Sequence, residues 1–328
     1  MRRAILELLT TPVLVVSMLL SAGCQSVAKK SEDGGRPLER ARFYLDKGLT
    51  YAALAAFGLA IEENPKLTEG HLGMGKIYLD RGNYHLAGNA YETAATLDRN
   101  SFDAHYFLGL VYQVTDRLEE AIPMYLRALV IRPDSFDANH HLGGAYLQLG
   151  RPAAAAPYVD RAAELMPESQ TAWANLAATY SLMDYYEQAL EAYRIANELG
   201  ELQPPILLGM AYALIKLEQY ERATNVLRTL NRHEPSVLAF ERLGYCQFKL
   251  YRFEDALASF HSALELEESD TASLNGLGVC HMTLYLQSGK SDRAHRRDAM
   301  GAWRKSVSLH PDQPRIIDLI TRYQVGVY

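Results

Sequence analysis

Cys246 and Cys280 are the residues best suited by type to redox or metal chemistry, and they stand 34 residues apart. Equivalent sites on adjacent helix pairs lie about 10 Å apart, beyond the roughly 7 Å Cα separation that a disulfide tolerates. Two buried structural thiols are therefore expected. Gly289-Lys290-Ser291 has the ending of a phosphate-binding loop, but that motif needs a glycine at 284, where Leu284 stands, and a preceding strand. No His pair flanks a Glu at the spacing of a zinc protease helix, and no serine sits in a Gly-x-Ser-x-Gly elbow. His140 and His141 are neighbours, so on a helix they point in different directions. His140 could line a groove, while His141 packs or faces solvent. Arg293, His295, Arg296 and Arg297 form a basic cluster that reads as a solvated helical turn or as a contact for an acidic partner or lipid head groups. No catalytic residue, cofactor site or metal site is expected, and the chain does not read as an enzyme.

The remaining cysteine has a different setting. Arg2 and Arg3 precede an apolar stretch from Leu8 to Leu20, broken by Thr10, Thr11 and Pro12, and Leu20-Ser21-Ala22-Gly23-Cys24 follows. This order predicts a secretory signal over residues 1–23, too short and interrupted for a span of about 20 apolar residues. The Cys after small residues resembles a bacterial lipobox. The resemblance implies acylation of Cys24, which becomes the mature N-terminus. Gln25 at the next position implies the outer rather than the inner membrane. Several acyl chains, each worth about 0.8 kcal/mol per buried methylene, would hold the protein to the membrane. Residues 24–36 are polar, glycine-containing and balanced in charge, and read as a flexible tether.

What must position any site is the rest of the chain. Of 328 residues, 48% are hydrophobic and 22% charged, which excludes intrinsic disorder. The net charge of −6 argues against a nucleic-acid binder, which needs a basic field. Ala53, Ala87, Ala121, Ala155, Ala189 and Ala223 recur every 34 residues, followed by Ala256 and Ala299. Four residues beyond them lie Phe57, Tyr91, Tyr125, Val159, Tyr193, Leu227, Phe260 and Trp303. Upstream, Ala41, Gly75, Gly109, Gly143, Ala177, Ala211, Gly244 and Gly278 form a second, small ladder. Spacings of 3, 4 and 7 place these residues on one helical face, and small residues let paired helices approach closely. The tyrosine excess, 21 residues, fills gaps where one pair meets the next.

The pattern resembles the tetratricopeptide repeat, a helix-turn-helix unit of this period. The resemblance implies an all-α right-handed superhelix of about eight units over 37–313, with a capping helix and tail over 314–328 built on Ile316, Ile317, Leu319, Ile320 and Tyr323. Nine extra residues in the last unit, around Gln287 to Arg297, imply a longer turn or an extended helix.

In relatives of this pattern the first helix of each unit lines the concave face. Carried over residue by residue, the facing positions include Arg42, Tyr106, His140, Leu147, Ala174 and Ala178, then Tyr212, Ile215 and Lys216, then Tyr245, Phe248 and Lys249. Helical spacing independently groups the last two sets as an aromatic, apolar, lysine triplet repeated in adjacent units. Tyr beside Lys can hold an apolar group and an acidic group together. The expected peptide-binding residues are therefore Tyr212, Lys216, Tyr245, Phe248 and Lys249, with Tyr106 and His140. The function implied is a lipid-anchored scaffold of the bacterial envelope that binds protein or peptide segments, without nucleic acid or metal. A glycan-binding or polysaccharide-export component using the same groove is the alternative.

Overall fold

The computed structural model describes residues 35–324. The expected signal segment, Cys24 and nearly all of the tether lie outside the described residues. Those residues form seventeen helices and no strand, and none of the helices is long and apolar enough to cross a membrane. Contacts divide the chain at Glu168 into two compact units.

The first unit holds four helix pairs: α1 (Pro37–Asp46) with α2 (Thr50–Glu63), α3 (Thr68–Asp80) with α4 (Tyr84–Leu97), α5 (Phe102–Val114) with α6 (Leu118–Ile131), and α7 (Phe136–Gln148) with α8 (Pro152–Leu165). Helices α2, α4 and α6 each also pack on the first helix of the following pair, and α5 touches both α3 and α7. The second unit repeats the scheme with α9 (Gln170–Leu182) and α10 (Tyr186–Glu198), α11 (Pro204–Lys216) and α12 (Tyr220–His233), α13 (Val237–Lys249) and α14 (Phe253–Leu266), and α15 (Thr271–Gln287) and α16 (Arg293–Leu309). A single helix, α17 (Pro314–Gln324), packs on α16.

Local chemistry explains the helix ends. Ser101 and Ser135 in the first unit, and Ser169, Ser236 and Asp270 in the second, each accept a hydrogen bond from the third backbone amide of the helix they start. Such caps are worth about 1 kcal/mol apiece. Within every pair but the last the chain reverses through one left-handed residue: Gly48, Gly82, Asp116 and Gly150 in the first unit, and Asp184, Glu218 and Tyr251 in the second. Four of these residues are not glycine: Asp116, Asp184, Glu218 and Tyr251 hold that conformation at φ between 57° and 63° against the usual steric penalty on a side chain.

The two sequence ladders meet in the core. A Cβ added at Gly109 would lie 2.8 Å from the Tyr125 ring, and one at Gly75 would lie 2.7 Å from the Tyr91 ring. Tyr125 is fully buried, and its hydroxyl donates to Gln113 Oε1 at 2.7 Å. In the second unit Phe260 is wedged between its own pair and the next, because Cβ atoms at Gly244 and Gly276 would fall 2.8 and 2.4 Å from its ring. Burying one such ring stabilises by about 1.5–3 kcal/mol. The pair α11–α12 uses larger residues, with Leu214, Leu227 and Leu230 all buried around Ala211 and Ala223.

The nine-residue insertion extends both helices of its pair. Helices α15 and α16 have 17 residues each, where α13 has 13 and α14 has 14. The cap packs Ile316, Leu319, Ile320 and Tyr323 against buried Met300 and Trp303. Ile317, expected in that contact, is instead 43% exposed, because it lies off the face of α17 that meets α16. The Arg296 guanidinium donates to the Tyr323 carbonyl at 2.8 and 3.2 Å and so caps the end of α17.

Candidate functional site

The site is built from helix ends in the second unit. Tyr186 is the first residue of α10 and Tyr220 the first of α12. Tyr212 and Lys216 lie in the second half of α11, and Tyr245 and Lys249 occupy the matching places in α13. Pairwise packing brings these four helix ends into two equivalent levels.

At the first level the rings of Tyr186 and Tyr212 meet edge to face, 5.9 Å apart. Lys216 Nζ stands over both, 5.5 Å from the Tyr212 centroid and 5.7 Å from that of Tyr186. At the second level Tyr220 and Tyr245 meet edge to face at 6.2 Å, and Lys249 Nζ stands 5.4 Å over Tyr220. Both lysines are exposed, as is Tyr245, while Tyr212 is half-buried. Each amine is attracted to the ring faces while keeping its solvent side open. The ammonium of Lys249 is stabilised by Tyr220 and Tyr245, which raise its pKa above the ordinary lysine value. Burial against the packed rings raises the hydroxyl pKa values of Tyr186 and Tyr220, and the Tyr186 hydroxyl also donates to Asp184.

The arrangement brings Tyr212 with Lys216 and Tyr245 with Lys249. Phe248 is turned elsewhere: it packs on the core around Phe260 and contacts Phe253 at 5.5 Å. Ile215 likewise joins the Leu214 core. Tyr186 and Tyr220, the second ring at each level, were missed by reading first helices alone. Their 34-residue separation was the signal that could have found them.

Tyr106 and His140 belong to the first unit. Tyr106 is half-buried among Phe102, Phe107, Tyr125 and His141, with ring centroids 5.1 to 6.0 Å away. His140 stacks on Phe136 at 5.4 Å, and its Nδ1 is buried without a partner. Although neighbours on one helix, His140 and His141 touch through their rings at 5.6 Å, and His141 also stacks on Tyr125. Burial lowers the pKa of both; His141 falls to about 4, with the charge of His140 as the second cause. These residues form an aromatic core with a limited open edge. Leu147, Ala174 and Ala178, carried over as groove positions, are buried; their small or apolar side chains are taken up by packing between helices.

The remaining chemical candidates have structural settings. Cys246 and Cys280 are free, buried and in separate core clusters, and burial pushes both thiols up to about 12. Gly289 and Lys290 form the left-handed turn between α15 and α16, preceded by a helix. In the basic cluster Arg296 caps α17 and Arg297 pairs with Asp298 at 3.1 Å. His295 Nδ1 hydrogen-bonds His281 Nδ1 at 2.9 Å. Among the described residues no group of three or more metal-ligating side chains converges.

Residues 72–138, 116–173 and 208–270, together about half of the chain, match the tetratricopeptide repeat. Comparison with curated proteins found no match. Among solved structures, a tetratricopeptide repeat protein from Parabacteroides merdae aligns over 74% of this chain and 97% of its own at 18% identity, with a TM-score of 0.50. Pseudomonas aeruginosa pilF aligns over 61% of this chain and 90% of its own at 21% identity and a TM-score of 0.51. The Naa15/Naa10 complex bound to HypK-THB aligns over 88% of this chain and 44% of its own at 18% identity and a TM-score of 0.50. At these identities the structures speak to the fold alone. With helix pairs in the 34-residue phase and matched segments over half its length, the chain belongs to the tetratricopeptide repeat family.

Proposed function

We propose that this protein is a lipid-anchored scaffold of the bacterial cell envelope that binds protein or peptide segments through the Tyr212–Lys216 and Tyr245–Lys249 levels. The observation that carries the binding reading is the repetition: two successive helix pairs place an exposed ammonium on a tyrosine pair. Packing alone does not call for lysine at the same place twice, since lysine is depleted from well-buried sites. An extended acidic segment with apolar side chains matches this chemistry, its carboxylates facing the amines and its apolar groups lying on the rings. Anchoring through Cys24 at the periplasmic face of the outer membrane rests on the sequence around that cysteine.

Affinity capture from solubilised membranes tests the binding reading. Tyr212→Ala with Tyr245→Ala should weaken capture through lost apolar contact. Lys216→Glu with Lys249→Glu should weaken it further at low salt and less at high salt, where exposed charges are screened. Folded variants that retain the partner at wild-type affinity would move the site elsewhere, and capture of polysaccharide instead of protein would favour a glycan-binding role. For anchoring, Cys24→Ser should release the protein from membranes or block its processing. A variant that fractionates as wild type, with no lipid on either form, would remove the anchor from the proposal.

A further inference from the structure

The last helix pair carries a contact that the repeat does not require. His281 of α15 and His295 in the first turn of α16 hydrogen-bond through their Nδ1 atoms at 2.9 Å. Their ring centroids are 5.1 Å apart, close to the widest separation such a contact permits, so the two nitrogens point at one another. The place of His281 holds tyrosine in the first five pairs, then Leu214 and Gln247. Both rings are half-buried. The charged groups facing His281 are His295 and Asp298 from α16 and His261 from α14, and Asp298 is itself paired with Arg297. Among the described residues α13, also packed on α15, adds no charge that acts on His281. His295 faces Asp292, whose carboxylate lies 3.7 Å from its Nε2.

A neutral pair makes this bond with one Nδ1–H donor and one Nδ1 acceptor. A first proton is favourable: His295 then donates from Nδ1 to His281 and presents its charged Nε2–H to Asp292. A second is not, because two N–H donors of like charge would face each other at 2.9 Å. Burial, and then the charge of His295, accordingly lowers the His281 pKa below the ordinary histidine value. What the pair steadies is the end of α17. Arg296, the next residue, donates to the Tyr323 and Gln324 carbonyls at 2.8 and 3.4 Å. The start of α17 is fixed separately, since Gln313 donates to the Ser306 and His310 carbonyls. No residue of α17 is buried, and a helix of 11 residues is marginal by itself. We propose that His281 and His295 form a proton-operated latch. With at most one proton between them the pair holds the first turn of α16 and the Arg296 clamp on α17. With a second proton the rings repel, the turn loosens and the end of α17 is released, uncovering Met300 and Trp303.

Fluorescence of Trp303 in a Trp173→Phe protein, read together with hydrogen exchange over residues 314–324, tests the latch in the full chain. Between about pH 7 and about pH 4 the emission should shift to the red as Tyr323 leaves the side of Trp303, and the α17 amides should lose at least about tenfold of their protection. His281→Gln keeps a hydrogen-bond partner for His295 without a second titration, and the repeat already uses glutamine at that place in Gln247. This variant should hold α17 at both pH values. If it misfolds at neutral pH, His295→Gln makes the same test from the other ring. Arg296→Met should release the end of α17 already at neutral pH, with no further step on acidification. The proposal is overturned if the Trp303 step persists in either folded glutamine variant, or if wild type shows no step above about pH 4. A step that coincides with loss of helical content across the whole chain overturns it too, as does an Arg296→Met protein whose α17 keeps wild-type protection at neutral pH.

Discussion

Acidification should weaken the first unit through His141. This ring is enclosed by Tyr125, Tyr106 and His140, and burial followed by the neighbouring histidine lowers its pKa from 6.5 to about 4. In the unfolded chain the imidazole protonates near 6.5, while in the folded chain it stays neutral until about pH 4. Between those values the unfolded state binds more protons, so stability falls as pH falls, and the loss levels off below about pH 4. At about 1.4 kcal/mol per pH unit, the difference accumulated between pH 7.5 and 4.5 is about 2.5 kcal/mol, trimmed toward 2 by the ring's partial solvent contact. The assay is urea unfolding at both pH values, followed by circular dichroism, for wild type and His141→Phe. Phenylalanine keeps the aromatic contacts and removes the titration. The variant should lose about 2 kcal/mol less than wild type on acidification. Parallel pH dependences for the two proteins would refute the idea that this imidazole is held neutral by its enclosure.

Other expectations follow from the core and the turns. Ala121→Leu or Gly278→Ala should each destabilise by about 1–3 kcal/mol, the latter because the new Cβ would lie 2.1 Å from Trp303 Nε1; unchanged melting curves would contradict the close helix approach. Cys246 and Cys280 should resist a thiol reagent at pH 8 in the native protein and react promptly in denaturant, since only the thiolate attacks; rapid native labelling would contradict their burial. Glu218→Gly should stabilise by about 1 kcal/mol by relieving the left-handed turn at φ 57°, and a lower urea midpoint would refute that.

Much of the fold was legible because the ladders are exclusive. Gly109 and Tyr125 are each intelligible only as partners of the other, and a 34-residue period places them without knowledge of the rest. The site was half legible. Lys216 and Lys249 could be found from helical spacing, but Tyr186 and Tyr220 come from the preceding second helices, and contact across helices leaves no local periodicity. Leu147 and Ala174 show the opposite failure: a position that faces a groove in relatives is packed over here, since exposure depends on the size of neighbouring side chains. The turns at Asp184, Glu218 and Tyr251 were invisible for a third reason. The left-handed residue is demanded by the path of the chain, and without glycine nothing in the residue type announces it.

The last helix pair shows how such an array tolerates growth. Its first helix has four residues more than that of the preceding pair, and its second has three more. Each increment is close to one helical turn, 3.6 residues, so the inward faces return to nearly the same azimuth and both ends of the pair stay in phase with what they pack against. Two residues would rotate every side chain beyond the insertion by about half a turn and present polar faces to the core. Length variation in this architecture is thus quantised. Insertions within a pair are admitted in steps of one turn on each helix, and the admitted step lifts a knuckle about 5–6 Å beyond the rim, where new side chains can diverge without disturbing a single buried contact.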